Sequence, residues 1–125
     1  MDAVTLNPDI FRAYDIRGRV GDDLTPVVAE RIGRAYGTHL IRRYGVREAV
    51  VGRDNRLSSE GLRDGLVAGL RAAGVSVIDI GLAPSPLLYF AAACWGIDGG
   101  VSVTGSHNPI TMNGLKLLED RKSVV

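Results

Sequence analysis

Strand-like and helix-like segments alternate along the 125-residue chain, and this alternation constrains the fold more than any single motif. The residues before Thr25 read as an irregular opening. Thr25-Pro26 supplies an N-cap followed by proline at the first helical position. Val28, Ile32, Tyr36 and Leu40 then recur every four residues, which predicts a helix to about Arg43. Gly45 ends it, and Glu48-Ala49-Val50-Val51-Gly52 reads as a short buried strand. Ser58 is the expected cap of a second helix, with the apolar stripe Leu62, Leu66, Val67, Leu70 and Ala73 and a terminal Gly74. Residues 75–80 are β-branched and read as a strand. Pro84-Ser85-Pro86 opens a third helix, capped by Ser85 and apolar nearly all round, which implies cover on more than one side. A strand over 100–104 follows, with another over 114–119 after a turn.

Alternation of this kind implies βαβ units, hence an α/β fold with a mixed, mainly parallel sheet and helices on both faces. Ligands in such sheets bind beyond the carboxyl ends of the strands. Two polar loops, 53–56 and 105–113, leave strand ends and are the candidate site loops.

Composition excludes several functions. The net charge of +1 leaves no broad basic field for nucleic acid or an anionic membrane. One cysteine, Cys94, excludes an internal disulfide and is too few for a protein-made zinc site. Lying in an apolar helical run, it reads as a buried, inert thiol. No signal peptide is visible, and the apolar run 87–97 is far below the ~20 residues a membrane span needs. A soluble, cytoplasmic protein is expected. Of the 15 basic residues 13 are arginine, which suits phosphate but is better explained in bulk by codon bias.

Thr104-Gly105-Ser106-His107-Asn108-Pro109 is the most informative segment. A strand of small and β-branched residues runs into glycine, a hydroxyl, an imidazole and an amide. Gly105 permits a tight turn and Pro109 restricts Asn108 to an extended conformation. The segment fits a nucleophilic serine loop and equally an ordinary Ser/Asn turn. It is not the G-x-S-x-G elbow, because Asn108 stands where that motif needs glycine. Phe11-Arg12-Ala13-Tyr14-Asp15-Ile16-Arg17-Gly18 reads either as an edge strand or as loop groups aimed at an anion. Arg53 and Asp54 either line the site or pair with each other. His39 has no expected catalytic role, and Arg42, Arg43 and Arg47 read as a solvated helix end.

These segments, with Val51-Gly52-Arg53-Asp54 and Asn113-Gly114-Leu115-Lys116, resemble in order and spacing the N-terminal domain of the α-D-phosphohexomutases. The Tyr-Asp-Ile-Arg-Gly form is similar to the phosphomannomutase/phosphoglucomutase branch. Gly105 stands where many members have alanine, a mild departure. The likeness covers residues 1–119 as the phosphoserine domain, while 120–125 do not match and three further family domains are expected to be missing.

The resemblance implies an isomerase acting by phosphoryl transfer in carbohydrate metabolism, with hexose phosphates as substrates. Ser106 is implied to carry a phosphoryl group, pass it to a sugar monophosphate and recover the other phosphate from a bisphosphorylated intermediate. Mg²⁺, held partly through the Ser106 phosphate, and a sugar 1,6-bisphosphate activator are implied cofactors. Ser106, Lys116, Arg17 and His107 are the implied catalytic groups, with Lys116 a proton shuttle. Tyr14, Arg17, Asn108 and Lys116 are implied to bind substrate, with Arg17 and Lys116 as loop cations. The other three domains are the implied partners, with no nucleic acid or membrane. The competing readings are a non-catalytic fragment that binds or accepts phosphate, and a glucosamine or pentose phosphomutase. A chain with one domain of four is expected to be inactive alone.

Overall fold

The computed structural model describes residues 11, 12, 15–106 and 108–118. Its elements run β1 (Phe11–Arg12), β2 (Asp15–Arg19), α1 (Pro26–His39), β3 (Glu48–Arg53), α2 (Leu57–Ala73), β4 (Ser76–Leu82), α3 (Ser85–Trp95), β5 (Gly99–Val103) and β6 (Met112–Leu118). A π-helical turn, Leu40–Tyr44, extends α1 to Gly45, which closes it at φ +66°.

The six described strands form one sheet in the order β1-β2-β6-β5-β3-β4. The βαβ units put β5, β3 and β4 in parallel. The outer half, β1, β2 and β6, is antiparallel and meets β5 through β6. The expected mixed sheet with helices on both faces is present. The opening is not irregular, however. Residues 15–19 form a strand paired on both sides, because β6 returns antiparallel to meet it.

Alternation along β3 divides the core. Ala49 and Val51 face α1 and α2, packing with Ile32, Leu62, Leu66 and Leu70. Val50 faces α3, with Leu88, Ala92, Ile97 and Leu118. Helices α1 and α2 touch backbone to backbone. A methyl on Gly69 would lie 2.0 Å from the Glu30 carbonyl oxygen, and one on Gly65 2.2 Å from that of Pro26. Tyr36 reaches from α1 to the far end of the sheet, where its hydroxyl donates to the Gly100 and Leu118 carbonyls.

Of three expected helix caps, one holds and two differ. Thr25 caps α1 as expected, its Oγ1 accepting from the Val28 amide at 3.2 Å. Helix α2 instead starts at Leu57, so Ser58 lies inside it, and its hydroxyl accepts from Asn113 Nδ2. Helix α3 starts at Ser85 because Pro84, extended at φ −66° and ψ 153°, takes the capping position. Ser85 Oγ shares a 2.9 Å hydrogen bond with Ser102 Oγ.

Helix α3 is also covered on one side only, burying Leu88 and Ala92. Leu87, Phe90 and Trp95 stay 49%, 64% and 54% exposed. Cys94 is exposed with them, not buried. A straight helix on one sheet face presents only a stripe to it, whatever the apolar content of its other faces.

Candidate active site

The serine loop leaves the carboxyl end of β5, at the edge where ligands are expected. The Thr104 amide still pairs with the Gly114 carbonyl, at 2.9 Å. The chain then turns, and Ser106 takes φ +52°, the one described non-glycine residue in the left-handed region. A serine held there is strained unless its surroundings over-determine the conformation. The loop supplies part of that. The Ser106 amide donates to Thr104 Oγ1 at 3.0 Å. Asn108 donates to the Gly105 carbonyl twice, from its backbone amide at 2.9 Å and from Nδ2 at 3.0 Å. Asn108 thus shapes the loop, and its Nδ2 is already engaged. Ser106 is left partly open to solvent.

The remaining support comes from the 53–56 loop. Arg56 Nη2 donates to the Ser106 and Asn108 carbonyls at 3.2 and 2.7 Å. Its Nη1 donates to those of Pro109 and Met112 at 2.8 and 3.2 Å. Its Nε donates to Asp54 Oδ2 at 3.2 Å. Asp54 Oδ2 also accepts the Gly105 amide at 3.0 Å. Oδ1 accepts the Arg56 amide and the Ser59 hydroxyl. Asp54 therefore pairs with Arg56, not with Arg53, whose Nη1 meets only the Asp54 carbonyl. Burial pushes the Asp54 carboxyl up, but hydrogen bonds from Ser59, Gly105, Arg56 and Thr104 outweigh it and hold the group below the ordinary aspartate value.

Arg56 is the residue sequence reasoning missed. It lies in a loop marked as a candidate, but nothing local separates it from a solvated arginine. Gly105 fits this arrangement tightly. A methyl there would lie 2.3 Å from Arg56 Cζ and Nε, so alanine requires the guanidinium to move.

The two expected cations are brought to the same end of the sheet, but on strands instead of loops. Ile16 and Leu115 enter the α1–α2 core, so Asp15, Arg17, Gly114 and Lys116 face the opposite side. Register sets Asp15 opposite Lys116 and Lys116 opposite Ser102. One step nearer the serine loop, Arg17 stands opposite Gly114. Arg17 Nε donates to Asp15 Oδ2 at 3.0 Å, while Asp15 Oδ1 is buried without a hydrogen-bond partner. Tyr89 borders this face from α3. Burial raises its phenol pKa, the Ser85 hydrogen bond opposes that, and the charge of Asp15 adds to it. Tyr14 and His107 lie outside the described residues. His39 is exposed, far along α1. A shallow cleft of about 320 Å³ adjoins Thr104, lined by Arg53, Asp54, Leu82, Pro84 and Ser85.

The described residues do not by themselves fit a Mg²⁺ ion. No group of three histidine, cysteine, aspartate or glutamate side chains converges among them. The carboxylate nearest Ser106 in the network, Asp54, is occupied by four donors.

Residues 8–122 match the family model for phosphoglucomutase/phosphomannomutase, alpha/beta/alpha domain I. This chain belongs to that family. A phosphomannomutase of Salmonella typhimurium is 49% identical over 110 residues, 88% of this chain and 23% of the relative. A phosphomannomutase of Klebsiella pneumoniae is 50% identical over 110 residues, covering 88% of this chain and 68% of the relative. A solved phosphoglucomutase/phosphomannomutase family protein from Burkholderia thailandensis superposes with a TM-score of 0.85 at 46% identity. That match covers 92% of this chain and 27% of the other. The chain thus spans about a quarter of the Salmonella and Burkholderia proteins. Within this phosphoglucomutase/phosphomannomutase domain, no described helix is long and apolar enough to cross a membrane.

Proposed function

We propose that this chain is the phosphoserine domain of a phosphohexomutase, interconverting 6-phospho and 1-phospho hexoses of the mannose or glucose type. The observation that carries the proposal is the placement of Ser106. It stands on a loop held by Arg56 at the carboxyl end of β5, on the edge that also presents Arg17 and Lys116. Family membership supports the same reading.

Phosphoryl transfer needs positioning and cations more than covalent help, since the transition state spreads charge over the equatorial oxygens. Ser106 Oγ carries the phosphoryl group and releases it to a sugar hydroxyl. The bisphosphorylated sugar reorients, and its other phosphate returns to Ser106. Arg17 and Lys116 neutralise phosphate charge, Lys116 also serving the proton of the attacking hydroxyl. Tyr14 flanks the sugar, and His107 adds a donor beside Ser106. A sugar 1,6-bisphosphate primes the serine. Any metal here takes no more than a phosphoryl oxygen from this domain, so no step is assigned to it. The exposed side of α3, with Leu87, Phe90 and Trp95, seats the other domains. A cytoplasmic location completes the proposal.

The test is Ser106→Ala in the protein that carries this domain. Nearly all turnover should disappear, together with the phosphorylated form in intact-mass spectra. A persistent phosphoserine and wild-type rate would overturn the assignment.

A further inference from the structure

The Arg56 guanidinium has five N–H bonds, and the structure accounts for all five. Four go to backbone carbonyls of the serine loop, those of Ser106, Asn108, Pro109 and Met112. The fifth goes to Asp54. An arginine so engaged has no donor left for a substrate phosphate. Its charge is also matched by Asp54, in a pair whose side chains are only 15% and 24% exposed. Of the site's arginines, Arg17 donates to a single carboxylate from Nε, while Arg56 is committed to the loop.

The four carbonyls belong to residues spread across seven positions of chain, drawn toward one planar group. An ordinary ion pair or a cap would not gather them. The first of them belongs to Ser106, which sits at φ +52°, a conformation that local propensity disfavours for serine. Gly105, against the guanidinium, approaches too closely to carry a methyl while Arg56 stays in place.

Resting on the reading of Ser106 as the phosphoryl carrier, we infer that Arg56 is a positioning residue. It gathers the serine-loop carbonyls beneath the loop, holds Ser106 in the left-handed conformation and so sets the direction of its hydroxyl. The loss of this clamp acts on phosphoryl transfer, not on substrate affinity, because Arg56 meets no substrate. Lysine cannot replace it. An ammonium has three donors around a point, which cannot span four carbonyls and a carboxylate. Free guanidinium, in contrast, has the right shape to refill the space left by Arg56→Gly.

The experiment uses the protein that carries this domain, with Arg56→Lys, Arg56→Gly and Ser106→Ala prepared in parallel. Folded Arg56→Lys should lose about tenfold to a hundredfold in kcat, with KM for the hexose phosphate within about twofold. The amide of Asn108 should exchange faster with solvent. Millimolar guanidinium should restore several-fold of the lost kcat to Arg56→Gly and none to Ser106→Ala. Unchanged kcat and exchange in folded Arg56→Lys would overturn the inference. So would failure of both Arg56 variants to fold, since the role would then be to hold the domain together. If Ser106→Ala itself keeps wild-type phosphorylation and turnover, the underlying functional reading fails instead, and the result is distinguishable from a fault in the Arg56 argument.

Discussion

The Gly105 amide donates to Asp54 Oδ2 at 3.0 Å, which ties the loop after β5 to the loop after β3 across fifty-one residues of chain. Asp54 is held below the ordinary aspartate value although burial opposes this, because Ser59, Gly105, Arg56 and Thr104 all bond its charged form. A carboxyl with a depressed folded pKa adds stability above its unfolded value of about 3.9 and loses it as pH falls through the folded value. Asp54→Asn should therefore cost roughly 1–3 kcal/mol at neutral pH. The gap to wild type should begin to narrow below about pH 4 and close as pH falls past the folded value. Thermal melts of both proteins across that range check this, and a gap constant with pH would contradict it.

Arg17 and Lys116 lie on strands, so their substitutions should separate catalysis from folding differently. Lys116→Ala should lower kcat by tens to about a thousandfold, roughly 2–4 kcal/mol, with little change in stability. Arg17→Ala should lower kcat similarly and also destabilise the fold, because it leaves the half-buried Asp15 without its ion pair. Kinetics and melting curves on both variants check the pair. Unchanged kinetics in both would remove these cations from the phosphate.

What the sequence shows and what it hides divides along local and non-local interactions. Helix α1 is legible because Thr25, Pro26 and the four-residue repeat to Leu40 act within a few turns. Strands β3 and β5 are legible from their apolar runs. The pairing of β2 with β6 is not, because it joins Arg17 to Gly114 across the whole domain. The same holds for the site. Ser106, Arg17 and Lys116 stand out as residue types in motifs, but Arg56 acquires meaning only through carbonyls fifty or more residues away. The apolar run around Cys94 implies burial, but an apolar run does not say which side of a helix meets a sheet, and Cys94 is exposed.

The glycine content, 16 residues, has one structural use that the helix pair reveals. Gly61, Gly65 and Gly69 are spaced by four along α2, so they share one face. The last two lie against the backbone of α1, where a methyl would meet the Pro26 or Glu30 carbonyl at 2.2 or 2.0 Å. Neither contact is with a flexible side chain that can yield. Gly69→Ala gains helix propensity of about 1 kcal/mol, but it must separate two packed helices, which costs about 1–3 kcal/mol or more. The net effect should be destabilising. Gly61→Ala, where the nearest atom is Pro26 Cγ at 3.5 Å, should be neutral or stabilising. Melting temperatures of the two variants test this, and equal shifts would show that the helices do not meet as described.

Residues 1–125 on their own lack what the proposed reaction needs. Three requirements of the proposed reaction find no provision among the described residues. A divalent cation needs several hard oxygen ligands, and no carboxylate cluster is present. Ser106 is partly open to solvent, on a loop at the sheet's edge, so water competes with a sugar for any phosphoryl group. The cleft beside Thr104 is shallow, with no opposing wall to retain a bisphosphorylated sugar while it reorients. Residues 1–125 should then show no measurable mutase turnover. Leu87, Phe90 and Trp95 on α3, with Leu82 at 61% exposure, should make the isolated domain prone to associate. A coupled glucose-1-phosphate to glucose-6-phosphate assay, with Mg²⁺ and the sugar bisphosphate present, measures the first, and sedimentation across a concentration series measures the second. Turnover that rises in proportion to the domain and vanishes in Ser106→Ala would show instead that one wall suffices and that an open site can retain the sugar.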